Sequence, residues 1–109
     1  MTKKSFSYYV YILSNDAKTL YTGVTGDLYR RIWQHRAGTG STFTSKHQLA
    51  KLVWFGETDD VTIAIAREKQ IKNWRRKWKL DLIESENPEW LDLADDWYGV
   101  VRYSESSSE

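Results

Sequence analysis

Between Tyr8 and His35 the chain runs through two strand-like segments, a polar turn and a basic helix, an order that leaves few folds open. Ser7 to Leu13 is aromatic and β-branched and reads as a strand; Thr19 to Val24, rich in Thr, Tyr and Val, reads as a second. Asn15-Asp16-Ala17-Lys18 between them is polar and turn-forming. If Ser14 pairs with Lys18 around a three-residue loop, Tyr11 faces Tyr21 directly across the hairpin, on one side of the sheet. Gly23 permits a close approach by other backbone or a ligand. Asp27 then caps a helix whose apolar stripe is Leu28, Ile32 and Trp33, with Arg31 and His35 four residues apart on a shared face.

The remainder completes one layered domain. Gly38 to Ser41 ends the helix, Thr42 to Gln48 (with Phe43, Lys46 and His47) reads as a loop or short turn, and Leu49 to Phe55 reads as a third strand. Thr58-Asp59-Asp60 caps a long helix from Val61 to Trp74 with an apolar face of Val61, Ala64, Ile65, Ile71 and Trp74. Glu68 falls inside that stripe, where a carboxylate is costly unless paired, protonated or bound to metal. A further helix spans Arg76 to Ser85, Asn87-Pro88-Glu89 breaks it, and Glu89 to Asp95 forms a last turn or helix packed by Trp90 and Leu93. The expected organisation is an N-terminal extension over 1–6, a domain over 7–86, an acidic segment over 87–103 packed on it, and a disordered Ser/Glu-rich tail over 104–109.

A chain of 109 residues suffices for a single core, and the lack of cysteine excludes disulfides and thiolate metal sites. No apolar run is long enough to span a bilayer and no signal peptide is visible, so the expectation is a cytoplasmic protein without a membrane partner. Charge is unevenly divided: residues 1–80 hold fifteen Lys/Arg against six Asp/Glu, a net of +9, and residues 81–109 hold one against nine, a net of −8. Either the two parts neutralise each other or the basic body meets a polyanion. Arg67 to Lys79 carries seven basic residues and one acidic, with Trp74 and Trp78 among them. Lys46, Lys72, Arg75, Arg76 and Lys79 are candidates for nucleic-acid backbone contacts, the other reading being a solvated basic face; Trp74 and Trp78 read as core.

Tyr9-Val10-Tyr11, Tyr21-Thr22-Gly23, Arg31, His35 and Glu68, in that order, resemble the GIY-YIG nuclease domain over Ser7 to Leu82. The Lys51-Leu52-Val53-Trp54 strand, Arg67-Glu68-Lys69 and the Asn87-Pro88-Glu89-Trp90 ending resemble its small stand-alone bacterial branch, related to the N-terminal domain of the excinuclease C protein. The first motif departs from the family's in reading Tyr-Val-Tyr, and Asn73 is the candidate for an asparagine that many relatives carry after the glutamate. Larger relatives attach separate DNA-binding domains, which are not seen in this sequence.

The resemblance implies an α/β fold: a small three-stranded antiparallel sheet flanked by helices, in the order β-β-α-β-α-α. It implies Tyr11, Tyr21, Arg31, His35 and Glu68 as the catalytic set, with Glu68 holding one Mg²⁺ or Mn²⁺ ion. Attack on a phosphodiester needs a deprotonated water and stabilisation of the charge gathering on phosphorus. Arg31 would contact non-bridging oxygens, and a tyrosine or His35 would take the water's proton, with Tyr11 as base and Tyr21 orienting it. An unperturbed tyrosine is only about 0.1% ionised at pH 7, so Arg31 or metal would have to assist. Taken singly, the tyrosines read as strand aromatics, Arg31 and His35 as a solvated helix face, and Glu68 as paired to Lys72 or Arg31. Their joint occurrence favours a site.

The implied function is a metal-dependent endonuclease of low sequence specificity acting on structured or single-stranded nucleic acid, DNA before RNA, in repair or recombination. The alternative is a nucleic-acid-binding module with the same fold, little intrinsic activity, or a need for a protein partner.

Overall fold

The computed structural model describes residues 6–98. The start of the N-terminal extension, the end of the acidic segment and the Ser104 to Glu109 tail lie outside the described residues. Strands β1 (Tyr8–Ser14), β2 (Leu20–Thr25) and β3 (Lys51–Thr58) form one antiparallel sheet in the order β2-β1-β3. Helices α1 (Leu28–Arg36), α2 (Thr42–Lys46), α3 (Val61–Asn73) and α4 (Arg76–Glu86) complete it. The expected β-β-α-β-α-α order holds, with one addition: the stretch read as a loop or turn contains the five-residue α2, capped by Ser41, whose hydroxyl accepts from the Thr44 N–H.

Alternation along β1 divides the core in two. Val10 and Ile12 meet Ala64 and Ile71 of α3, Ile83 of α4 and Trp90 on one face; Tyr11 and Leu13 meet Leu28 and Ile32 of α1, Leu49 and Ala94 on the other. A bulge in β3 opposite Ile12/Leu13 breaks the period of two, so Val53 and Trp54 both join the first cluster while Leu52 joins the second.

The hairpin corrects the expected register. Ser14 pairs with Leu20 rather than Lys18, Tyr11 lies opposite Gly23, and Tyr21 lies opposite Leu13. Asn15 organises the wider loop: its carbonyl accepts from Lys18 N–H, its Oδ1 from Thr19 N–H, and Lys18 adopts a left-handed φ of 61°. The shift is two residues, not one, so every side chain keeps its face and Tyr11 and Tyr21 still share one.

Other expectations change at the surface. Asp60 caps α3 through Thr62 and Ile63 N–H as expected, but the buried stripe is Ala64, Glu68 and Ile71, and Val61 and Ile65 are exposed. Trp33 is exposed beside Tyr98, leaving Leu28 and Ile32 as the buried stripe of α1. Trp78 is exposed too. The backbone turns extended at Trp74 (ψ 151°), which closes α3, while Trp78 stands on α4; Trp74 packs on the core and Trp78, exposed, meets the Trp74 ring in a T-shaped contact at 6.1 Å. Leu93 is exposed, although its N–H binds the Leu52 carbonyl, and the buried anchor of that segment is Trp90.

Candidate active site

Tyr11 is the centre of the site. Its phenol lies over Gly23, the residue opposite it on β2: a Cβ there would stand 2.5 Å from Tyr11 Cζ and Oη. Only glycine lets the ring cross the neighbouring strand, so the motif glycine is a steric requirement. The phenol oxygen reaches His35 Nε2 at 3.0 Å, and both residues are buried. His35 Nδ1 is 3.0 Å from Thr44 Oγ1, and the Thr44 hydroxyl donates to the Ser41 carbonyl at 3.2 Å. A hydroxyl donating there accepts from Nδ1–H, which leaves Nε2 to accept the Tyr11 O–H.

Electrostatics keep both groups neutral. Burial, then the Arg31 charge, lowers His35 from 6.5 to about 4. Burial raises Tyr11 to about 12, against the lowering effect of Arg31; the Glu68 carboxylate lies near enough to oppose ionisation as well. Arg31, one turn before His35 on α1, donates to Gln34 Oε1 at 3.0 Å and to the Gly40 carbonyl at 3.2 Å. Gly40 in turn lies so close to His35 that a Cβ would meet Nδ1 at 2.2 Å. Tyr21, half-buried, has its ring 6.3 Å from Tyr11 and 5.5 Å from His35, with Phe43 stacked beyond it at 6.2 Å. The phenol of Tyr11 therefore has His35, not Tyr21, as its hydrogen-bond partner.

Glu68 arrives from α3, which packs beneath β1 and β2. It is buried, and Lys72 Nζ sits 2.6 Å from its Oε2. The other basic candidates divide. Arg76 donates to the Lys18 carbonyl at 2.8 Å and, with Lys79 and Lys18, lines a cavity of about 500 Å³ beside the hairpin turn. Arg75 stacks on Trp78 at 5.5 Å, and Lys46 is exposed on α2. Asn73 closes α3 and is exposed. Thr44, Ser41 and Gly40 are parts of the site that the sequence reading missed. Nothing local in the sequence ties Ser41 and Thr44 to His35.

The fold and this cluster define a GIY-YIG catalytic domain, whose family model matches residues 7–81; the chain belongs to that family, and its domain is of the nuclease type. Within it, the chain is 42% identical over 82 residues to the UPF0213 protein of Syntrophus aciditrophicus, covering 74% of this chain and 93% of that one. It is 39% identical over 77 residues to the UPF0213 protein of Haloquadratum walsbyi, covering 71% and 86%. The solution NMR structure of a UPF0213 protein from Bacillus halodurans superimposes with a TM-score of 0.53 at 27% identity, over 84% of this chain and 97% of that one.

Proposed function

We propose that this protein is a divalent-metal-dependent endonuclease that hydrolyses phosphodiester bonds in DNA, structured or single-stranded, with low sequence specificity. The observation carrying it is the joint placement of Tyr11, His35, Tyr21 and Arg31 in one contact cluster, with the Glu68 carboxylate near enough to bear on the Tyr11 phenol. Such a set offers hydroxyl, imidazole, guanidinium and carboxylate chemistry around one position, which is what in-line attack on a phosphodiester requires.

Glu68 fits a hard cation. It is a buried carboxylate that already holds a positive charge, the Lys72 ammonium, and oxygen is the donor Mg²⁺ and Mn²⁺ prefer. Glu68 would serve as the metal's protein ligand, with water and substrate phosphate completing the shell. When bound, the metal would supply Lewis-acid stabilisation and lower the pKa of water. Arg31 would hold a non-bridging oxygen. Tyr11 would take the proton of the attacking water while passing its own to the free lone pair of His35 Nε2. That transfer is uphill while the phenol sits near 12 and the imidazole near 4, with the Arg31 charge already counted in both, so it needs further positive charge against the phenol. Lys46, Arg75, Arg76 and Lys79 would contact backbone phosphates, a sequence-independent role that suits cutting without base-reading.

The Lys72–Glu68 pair also suits the second reading, a binding module whose carboxylate is already satisfied. One experiment separates the two. Wild type and Glu68→Ala are compared on flapped, branched, single-stranded and duplex DNA and RNA with Mg²⁺, Mn²⁺ or EDTA. Metal-dependent cutting by wild type, lost in the folded variant while binding persists, is expected; binding by both with no cutting in any condition would overturn the nuclease reading.

A further inference from the structure

We propose that Phe43 is a stacking platform for an unpaired nucleobase next to the phosphate being cut, with Lys46 one helical turn on as its phosphate contact. This rests on the reading of the site as one for nucleic acid. Three observations carry it.

The first is exposure. Phe43 remains 44% exposed although it lies at the end of the ring series Tyr11, His35, Tyr21, stacked on Tyr21 at 27° and 6.2 Å. A phenylalanine present only to support Tyr21 would gain by full burial; this one, with the His47 ring also against it, still keeps much of its surface in solvent beside the site.

The second is rigidity. A helix as short as α2 has little stability of its own, yet it is fastened on both sides. Thr44 is buried and bonds His35 Nδ1 at 3.0 Å; Arg31 holds the Gly40 carbonyl just before the helix; Asn15 Nδ2 holds the His47 carbonyl just after it at 2.8 Å. The His47 ring backs Phe43 at 4.4 Å. The residues that would act on phosphate thus also fix the aromatic, so a base on Phe43 and a phosphate at Arg31 would keep a constant separation.

The third is charge. Lys46 projects from the same short helix and is exposed, and the body of the chain carries a net of +9 over residues 1–80. A partly exposed aromatic ring beside a lysine suits a nucleotide, which presents a π-face and an anion together. Inside a duplex both faces of each base are covered by its neighbours, so the platform selects an unpaired nucleotide.

The test measures binding without cutting. In EDTA, a short single-stranded DNA carrying 2-aminopurine and the corresponding blunt duplex are titrated with wild type, Phe43→Ala, Phe43→Leu and Phe43→Trp. Phe43→Leu keeps an apolar side chain against Tyr21 and lacks only the π-face, so it still informs if Phe43→Ala does not fold. Phe43→Leu and Phe43→Ala are expected to bind the single strand about 5- to 100-fold more weakly, to lose the 2-aminopurine quenching, and to bind duplex within about two-fold of wild type, while Phe43→Trp retains the single strand. Unchanged single-strand affinity in Phe43→Leu, or an equal loss on both DNAs, overturns the proposal. The nuclease reading fails separately: a protein that binds the single strand through Phe43 and cuts nothing with Mg²⁺ or Mn²⁺ keeps the platform and loses the activity.

Discussion

His35 carries the clearest pH signature in the molecule. Burial and the Arg31 charge hold it at about 4 in the fold against 6.5 when unfolded, so between those values the unfolded chain binds a proton that the native state refuses. The stabilising contribution is whole above about pH 6.5 and is lost as pH falls towards about 4. Urea unfolding at a series of pH values is expected to show wild-type stability declining through that window, and His35→Gln, though weaker at pH 7, to decline less steeply. Equal slopes would mean that the imidazole is not held neutral. The same neutrality matters to the chemistry, since only an unprotonated Nε2 can accept from Tyr11.

Among the elements, the pairing of β1 with β2 positions the phenol. Tyr11 crosses β2 at Gly23, and an added methyl would stand 2.5 Å from its ring and oxygen. Neither neighbour can give, because the Tyr11 oxygen is tied to His35 and the backbone is in the ladder. Gly23→Ala is expected to cost about 1–3 kcal/mol of stability, read by denaturant unfolding, and to suppress cutting by more than that loss accounts for. On α3, Glu68 breaks the apolar pattern and is nevertheless buried, where Val61 and Ile65, apolar and in phase by spacing, stay in solvent. An inward carboxylate was therefore a better pointer than the hydrophobic residues around it.

Across the whole molecule, the segment after α4 covers the β3 edge of the sheet. Asn87 Nδ2 donates to the Val53 carbonyl at 3.0 Å and the Leu91 carbonyl at 2.9 Å, and its Oδ1 accepts from Leu91 N–H at 3.0 Å. Asp92 adds bonds to Leu52 N–H and Ala94 N–H and an ion pair to Arg36 of α1. Acidic residues of the C-terminal part thus serve the fold as well as the charge balance. Asn87→Ala, which orphans the Val53 and Leu91 groups, is expected to lower stability by about 2 kcal/mol and to speed amide exchange at β3 more than at β2. Uniform acceleration across the sheet would assign the cost to the global fold instead. No helix among the described residues is long and apolar enough to cross a membrane.

The division between what could be read and what could not follows from range. Strand and helix positions, the Asp27 and Asp60 caps, the buried Glu68 and the grouping of Tyr11, Tyr21, Arg31 and His35 were legible because periodicity, capping and motif order are short-range properties of the chain. The hairpin register was not, since two Asn15 side-chain and backbone bonds widened the loop by two residues and so set Tyr11 against Gly23. Nor were Thr44 as the partner of His35 and solvent for Trp78, whereas Lys72, one turn from Glu68, was among the partners its spacing offered. A residue's chemistry is written locally, but what it touches depends on how segments far apart in the chain are packed together, and that is decided only when the layers close.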